Sequence, residues 1–137
     1  MSAEENKVND RRFFDEGLNR QNLAVADEFL ATHIVGHTPT GTTQGLEAYK
    51  QYLSLYFSAF PNLQFTVGAQ LADGDLTAVQ WTATGTHQGA LAGIPPTGKS
   101  ATTAGLTLNR HANGKVVESW VYFDNLSLMQ QLGVIPA

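Results

Sequence analysis

The sequence predicts an α+β domain in which N-terminal helices are followed by a curved antiparallel sheet that encloses a pocket. Three observations carry this reading. Apolar residues recur every three or four positions up to Phe60; after Pro61 the period changes to two; and Asp73-Gly74-Asp75 and Asn113-Gly114 supply hairpin turns that divide the second part. Helices first and strands second is the order of an α+β fold rather than an alternating α/β one. No repeat, linker or low-complexity tract interrupts the 137 residues, so residues 1–137 read as one domain, long enough to bury a core.

Each element has its own signal. From about Ala3 to Arg20 the chain is polar, with Val8, Phe13, Phe14 and Leu18 as a ragged apolar stripe. Asn22 reads as an N-cap for a second helix in which Leu23, Ala26 and Leu30 recur at helical spacing. The stretch from Thr32 to Gly45, rich in turn formers, reads as a loop. Leu46, Tyr49, Leu53, Tyr56 and Phe60 mark a third helix that Pro61 stops. Strands follow. Leu63, Phe65, Val67, Ala69 and Leu71 alternate, and Leu76–His87 is rich in β-branched and aromatic residues. A Gly/Pro loop precedes a strand at about Ser100–His111, the Asn113-Gly114 turn leads into the last strand, and a tail helix of about Asn125–Leu132 closes at Gly133. The expected sheet is a four-stranded antiparallel meander, and one parity of each strand lines the pocket.

Composition excludes several classes of function. Only 15% of residues are charged, and eleven of the twenty charges lie between Glu4 and Glu28. The absence of cysteine removes disulfides, thiol nucleophiles and cysteine-ligated metals. No apolar run approaches the ~20 residues of a membrane span, and the polar N-terminus lacks a secretory h-region. A pI near 5.4 without a Lys/Arg cluster argues against nucleic-acid binding. The expectation is a soluble cytoplasmic protein without membrane or nucleic-acid partners. Gly93–Ser100 satisfies the written phosphate-loop pattern. However, Pro95 and Pro96 delete two backbone donors, and the residues that follow are β-branched, so it reads as a rigid loop at the pocket rim.

Few residues remain that carry chemistry. Asp124 ends a last strand that is apolar on both parities, Val116-Glu118-Trp120-Tyr122 and Val117-Ser119-Val121-Phe123. A carboxylate there is expected to be poorly hydrated and suited to proton transfer; equally, it is placed to N-cap the tail helix. His87 shares parity with Val79, Trp81 and Ala83 and would sit at the mouth of that face. Arg110, with Leu106 and Leu108 on its parity, needs a carboxylate partner, with Glu118 and Asp124 as candidates. His33 and His37 lie in a Gly/Pro-containing loop without an acidic companion, so no metal is expected there. His111, beside the Asn113-Gly114 turn, is expected to be exposed. Phe57, Phe60, Trp81 and Trp120 read as core residues that jointly give the pocket an apolar, ring-accommodating wall.

Three segments, FSAFPNLQF, TGTHQGALAGIPPTGK and GKVVESWVYFDNLSLMQQLG, stand in an order and spacing that resembles the SnoaL-like polyketide cyclase (ester cyclase) family. The likeness covers nearly the whole chain. It implies the nuclear-transport-factor-like fold, a cone of curved antiparallel sheet around a pocket, and a homodimer. It also implies cofactor-free, metal-free ring closure with an aspartate as general acid/base. Asp124, in the W-x-x-x-D motif, is the matching position, and His87 and His37 match pocket-lining positions. Arg110 departs from the pattern, because the aromatic-polyketide cyclases place a histidine near the aspartate there; an arginine would hold Asp124 ionised. The expected activity is proton abstraction alpha to a carbonyl on a small, largely apolar compound. Asp124 would be the base, His87 and Arg110 would stabilise the enolate, and His37, Tyr56, Trp81 and Trp120 would shape the substrate site. The alternatives are a non-catalytic ligand-binding or dimerisation module and a hydrolase or hydratase that activates water.

Overall fold

The computed structural model describes residues 2–136. Helix α1 spans Ala3–Arg12 and starts with a reciprocal cap: Glu5 N–H donates to Ser2 Oγ, and Ser2 N–H donates to Glu5 Oε1, each at 3.1 Å. The helix then widens into a π-helical segment, Phe13–Leu18. A 3-10 turn, Leu23–Val25, and a short helix α2, Ala26–Phe29, precede strand β1, Leu30–Thr38. Strand β2, Gly41–Gln44, leads to helix α3, Leu46–Ala59. Strands β3 (Gln64–Asp73), β4 (Leu76–Thr86), β5 (Ser100–Ala112) and β6 (Lys115–Phe123) follow, and helix α4, Asn125–Gln131, closes the chain.

The α+β class and the β3–β6 antiparallel meander are as expected, but the sheet is larger than the sequence reading. The expected loop between Thr32 and Gly45 is the β1–β2 hairpin, and the sheet has six strands in the order β2-β1-β6-β5-β4-β3. Strand β1 runs parallel to β6, with His37 opposite Trp120, so the sheet is mixed. The reason is tertiary. This segment has weak alternation of its own, and it is a strand because β6 offers it an unpaired edge. The two edge strands do not meet, so the curved sheet stays open.

Two local features redirect side chains. A register shift between Val67 and Gln70 in the β3–β4 ladder reverses parity. Phe65 and Val67 therefore pack on the core, whereas Leu71 is 70% exposed. In β5 the inward parity is Ala101, Thr103, Thr107, Asn109 and His111, all buried. Leu106, Leu108 and Arg110, the more apolar-looking set, face outward. Gly105 makes room for an inner neighbour, since a Cβ there would lie 2.2 Å from the Trp81 ring.

The core lies between the inner sheet face and the helices. Phe14, Leu18, Phe60, Leu63, Val79, Trp81, Val121, Leu128 and Leu132 form its main cluster. A second cluster, with Phe29, Leu30, Ile34, Leu46, Tyr49 and Val116, secures the β1 side. The loop read as a false phosphate site is irregular and is followed directly by β5, with no helix. It is tied down by Gln88 and Gly89 N–H groups that donate to the Ala59 carbonyl at the end of α3, at 2.9 and 3.1 Å.

Candidate active site

Helix, sheet and π-helical segment enclose a cavity of about 110 Å3. That is of the order of the engineered ~150 Å3 cavity that takes up one benzene. Its wall is mostly aromatic. Tyr49, Tyr52 and Tyr56 project from α3 at helical spacing, and the Tyr52–Tyr56 and Tyr56–Phe123 rings meet edge-on at 5.3 and 5.9 Å. Trp81 closes another side and its indole N–H donates to Thr107 Oγ1 at 2.9 Å. Burial pushes the phenols of Tyr49, Tyr52 and Tyr56 above their ordinary pKa, because the phenolate would lose its hydration.

One end of the cavity is polar. Asp10 from α1 and Asn109 and His111 from β5 line it, with Asn9 and Ser119 beside them. Asp10 and His111 are 3% and 6% exposed. Asp10 Oδ1 accepts a hydrogen bond from Asn109 Nδ2 at 3.1 Å and lies 3.3 Å from His111 Nε2. Thr77 Oγ1 is hydrogen-bonded to the same ring nitrogen at 2.9 Å. Among the described residues, Asp10 Oδ2 and His111 Nδ1 are buried without a hydrogen-bond partner.

The sequence-expected site residues divide between the two faces of the sheet. Tyr56 and Trp81 line the cavity. His37, Arg110 and Trp120 meet one another, but on the outer face. There His37 Nε2 lies 2.7 Å from Glu118 Oε2 and the imidazole stacks on Trp120 at 5.4 Å. Arg110 sits 4.0 Å from Glu118, 3.6 Å from Asp75 and 5.8 Å from the Trp120 ring centre. Of the two expected partners of Arg110, Glu118 is the one it meets, with Asp75 added, and Asp124 is not. Alternation sends Arg110 and Glu118 to the solvent side together, paired across β5 and β6.

Asp124 lies outside the cavity lining and is exposed, so the expected poorly hydrated setting is corrected. Its carboxylate accepts from Ser127 N–H at 2.9 Å and caps α4, the other of the two roles read from the sequence. The outer face of β6 is solvated, with Tyr122 60% exposed. His87 is fully buried beneath the Gly/Pro loop and also lies outside the lining. Its Nδ1 accepts from Thr97 N–H at 3.2 Å, and its backbone pairs with Gly98 and Lys99. It pins the loop instead of opening onto the pocket. Among the described residues, no three His, Asp or Glu side chains converge as a metal-binding group.

The polar end of the cavity was missed from sequence for identifiable reasons. His111 was expected to be exposed because it adjoins a turn. In the structure β5 runs on to Ala112 and Asp10 of α1 packs against the His111 ring, with His111 N–H bound to the Asp75 carbonyl at 2.8 Å. Asp10 sits on a helix whose apolar stripe appeared to include Val8, which is in fact exposed. Stepping back four residues at a time from Leu18 and Phe14 reaches Asp10 and Asn6, both buried. That spacing was the available signal.

The family model for SnoaL-like polyketide cyclase matches residues 9–132. No curated protein matches significantly. Among solved structures, a protein from Jannaschia sp. CCS1 assigned to the SnoaL-like polyketide cyclases is 27% identical, with a TM-score of 0.91, covering 98% of this chain and 95% of that one. IdmH from Streptomyces antibioticus, assigned as a polyketide cyclase, is 28% identical with a TM-score of 0.82, covering 93% and 98%. AclR from Streptomyces galilaeus, assigned as a hydroxylase, is 28% identical with a TM-score of 0.88, covering 99% and 85%. With the family model spanning nearly the whole chain and the fold shared over its length, the protein belongs to the SnoaL-like polyketide cyclase family.

Proposed function

We propose that this protein is a cofactor-independent enzyme that moves a proton on a small, largely apolar carbonyl compound held in the cavity, leading to aldol-type ring closure or a related isomerisation. The observation that carries this reading is the cavity itself: aromatic walls enclose a space of single-ring scale and end in buried polar side chains. Apolar walls favour a ring by removing it from water, and the few polar groups orient it. A dry site also strengthens interactions with charge that develops on a carbonyl oxygen.

The test is turnover of a panel of β-keto esters and aromatic methyl ketones, read by NMR, in the wild type and in Leu53→Trp, which fills the cavity from α3. Turnover in the wild type and its loss in the filled variant are expected, with circular dichroism confirming that the variant is folded. Turnover that persists with the cavity filled would sink the reading. A second reading, a non-catalytic ligand-binding module, draws support from the capping role of Asp124; it predicts binding of these ketones with no product from any of them. The reading includes a homodimer through the outer sheet face, where Leu71, Leu106 and Tyr122 are exposed. Leu106→Glu should convert a dimer to a monomer in light scattering, and a wild-type monomer would remove that part.

A further inference from the structure

We propose that His111 is the base of this cavity and that Asp10 is its positioning partner. The inference rests on the small-carbonyl reading above and names the groups that would carry its proton. Asp10 and His111 come from elements far apart in sequence, and both are nearly fully buried at the polar end of an otherwise apolar space. A buried ionisable pair costs several kcal/mol in desolvation unless its lone pairs and protons are satisfied. Here Asp10 Oδ1 is served by Asn109 and stands 3.3 Å from His111 Nε2, yet Asp10 Oδ2 and His111 Nδ1 have no partner.

The arrangement selects a tautomer. The Asp10 carboxylate, which can only accept, faces Nε2; this favours a proton on that nitrogen and leaves the Nδ1 lone pair without a protein partner among the described residues. In the proton-transfer step the C–H bond alpha to the ligand carbonyl breaks and an Nδ1–H bond forms. The bonding pair becomes the enolate, and the imidazolium is balanced by the Asp10 carboxylate. Return of the proton to carbon or oxygen restores the neutral ring, so no oxidant, metal or cofactor enters the balance.

The experiment uses acetophenone, a single-ring ketone with exchangeable alpha protons, incubated with the full chain in D2O. Deuterium uptake at the methyl group is followed by NMR, and binding is measured separately by titration. The wild type is expected to bind acetophenone and exchange its methyl protons. Asp10→Asn and His111→Gln should each lower the exchange rate constant by about 100-fold or more while leaving the dissociation constant unchanged. A merely structural role would move binding and exchange together. Should either variant fail to fold, the wild-type 15N spectrum decides: the His111 ring must show the Nε2–H tautomer, with its Nδ1 signal shifting when acetophenone is added. Binding with exchange that both variants retain, or loss of exchange in Asp124→Asn alone, would each overturn the proposal and leave the cavity reading standing; binding without any exchange would overturn the proposal and favour the non-catalytic reading. Failure of acetophenone to bind the wild type would overturn both.

Discussion

The sheet carries a histidine–carboxylate pair on each face. Inside, Asp10 and His111 are 3.3 Å apart and almost inaccessible; outside, His37 and Glu118 are closer, at 2.7 Å, but each keeps about a third of its side chain exposed. Distance alone would rank the outer pair as the stronger. Burial reverses the ranking, because water screens the outer charges and completes their hydrogen bonds, whereas the inner groups are held by each other, Asn109 and Thr77 among the described residues. The outer cluster gathers three residues that the sequence and the family resemblance marked for the pocket. The inner one joins His111, which the sequence reading placed on the surface, to Asp10, which it did not single out.

The largest expected effect breaks the inner pair. Asp10→Ala strands the His111 Nε2–H and the Asn109 amide donors and should cost about 1–3 kcal/mol in urea denaturation. A loss no larger than that of an exposed ion pair would collapse the distinction between the faces. Gly105→Val tests the packing that lets the inner face exist: its side chain would meet the Trp81 ring and should cost about 1–3 kcal/mol or more.

Alkaline pH probes the aromatic wall. Burial raises the phenol pKa of Tyr49 and Tyr52 in the folded state above the ordinary 10.0. The native protein therefore keeps protons that the unfolded chain releases. The stabilisation is whole below about pH 10 and is lost as pH rises toward the raised folded values, at about 1.4 kcal/mol per pH unit for each phenol. Tyr52→Phe should flatten that decline, as read from urea midpoints across the range. A decline of unchanged slope would mean that the wall is wetter than the structure shows.

The smaller effects belong to the outside. Asp124→Ala removes the α4 cap and should cost about 1 kcal/mol of stability. Glu118→Ala, which disconnects His37 and Arg110, should cost about 0.2–1 kcal/mol, and less at high salt. An outer-face penalty that matched the Asp10→Ala loss would show that the two faces are equivalent after all.

Much of this was legible in the residues. The helix from Leu46 ends at Ala59, just before Pro61, the turns at Gly74 and Asn113-Gly114 space the meander, and the false phosphate loop is recognisable by its two prolines, because these signals are local. The β1–β2 hairpin was not legible, since its strand character comes from pairing with β6, a partner remote in sequence.

The sequence by itself determined the α+β class, the succession of α3, the β3–β6 meander and α4, and the family, because periodicity, turn chemistry and motif spacing are properties of neighbouring residues. Only the tertiary structure decided which parity of β5 faces inward. Thr103, Thr107, Asn109 and His111 look less buried than Leu106 and Leu108 when read along the strand. They are inside because α1 and α3 cover that face, bringing Asp10 and the tyrosines to it, and no local pattern records which side of a strand a helix will cover.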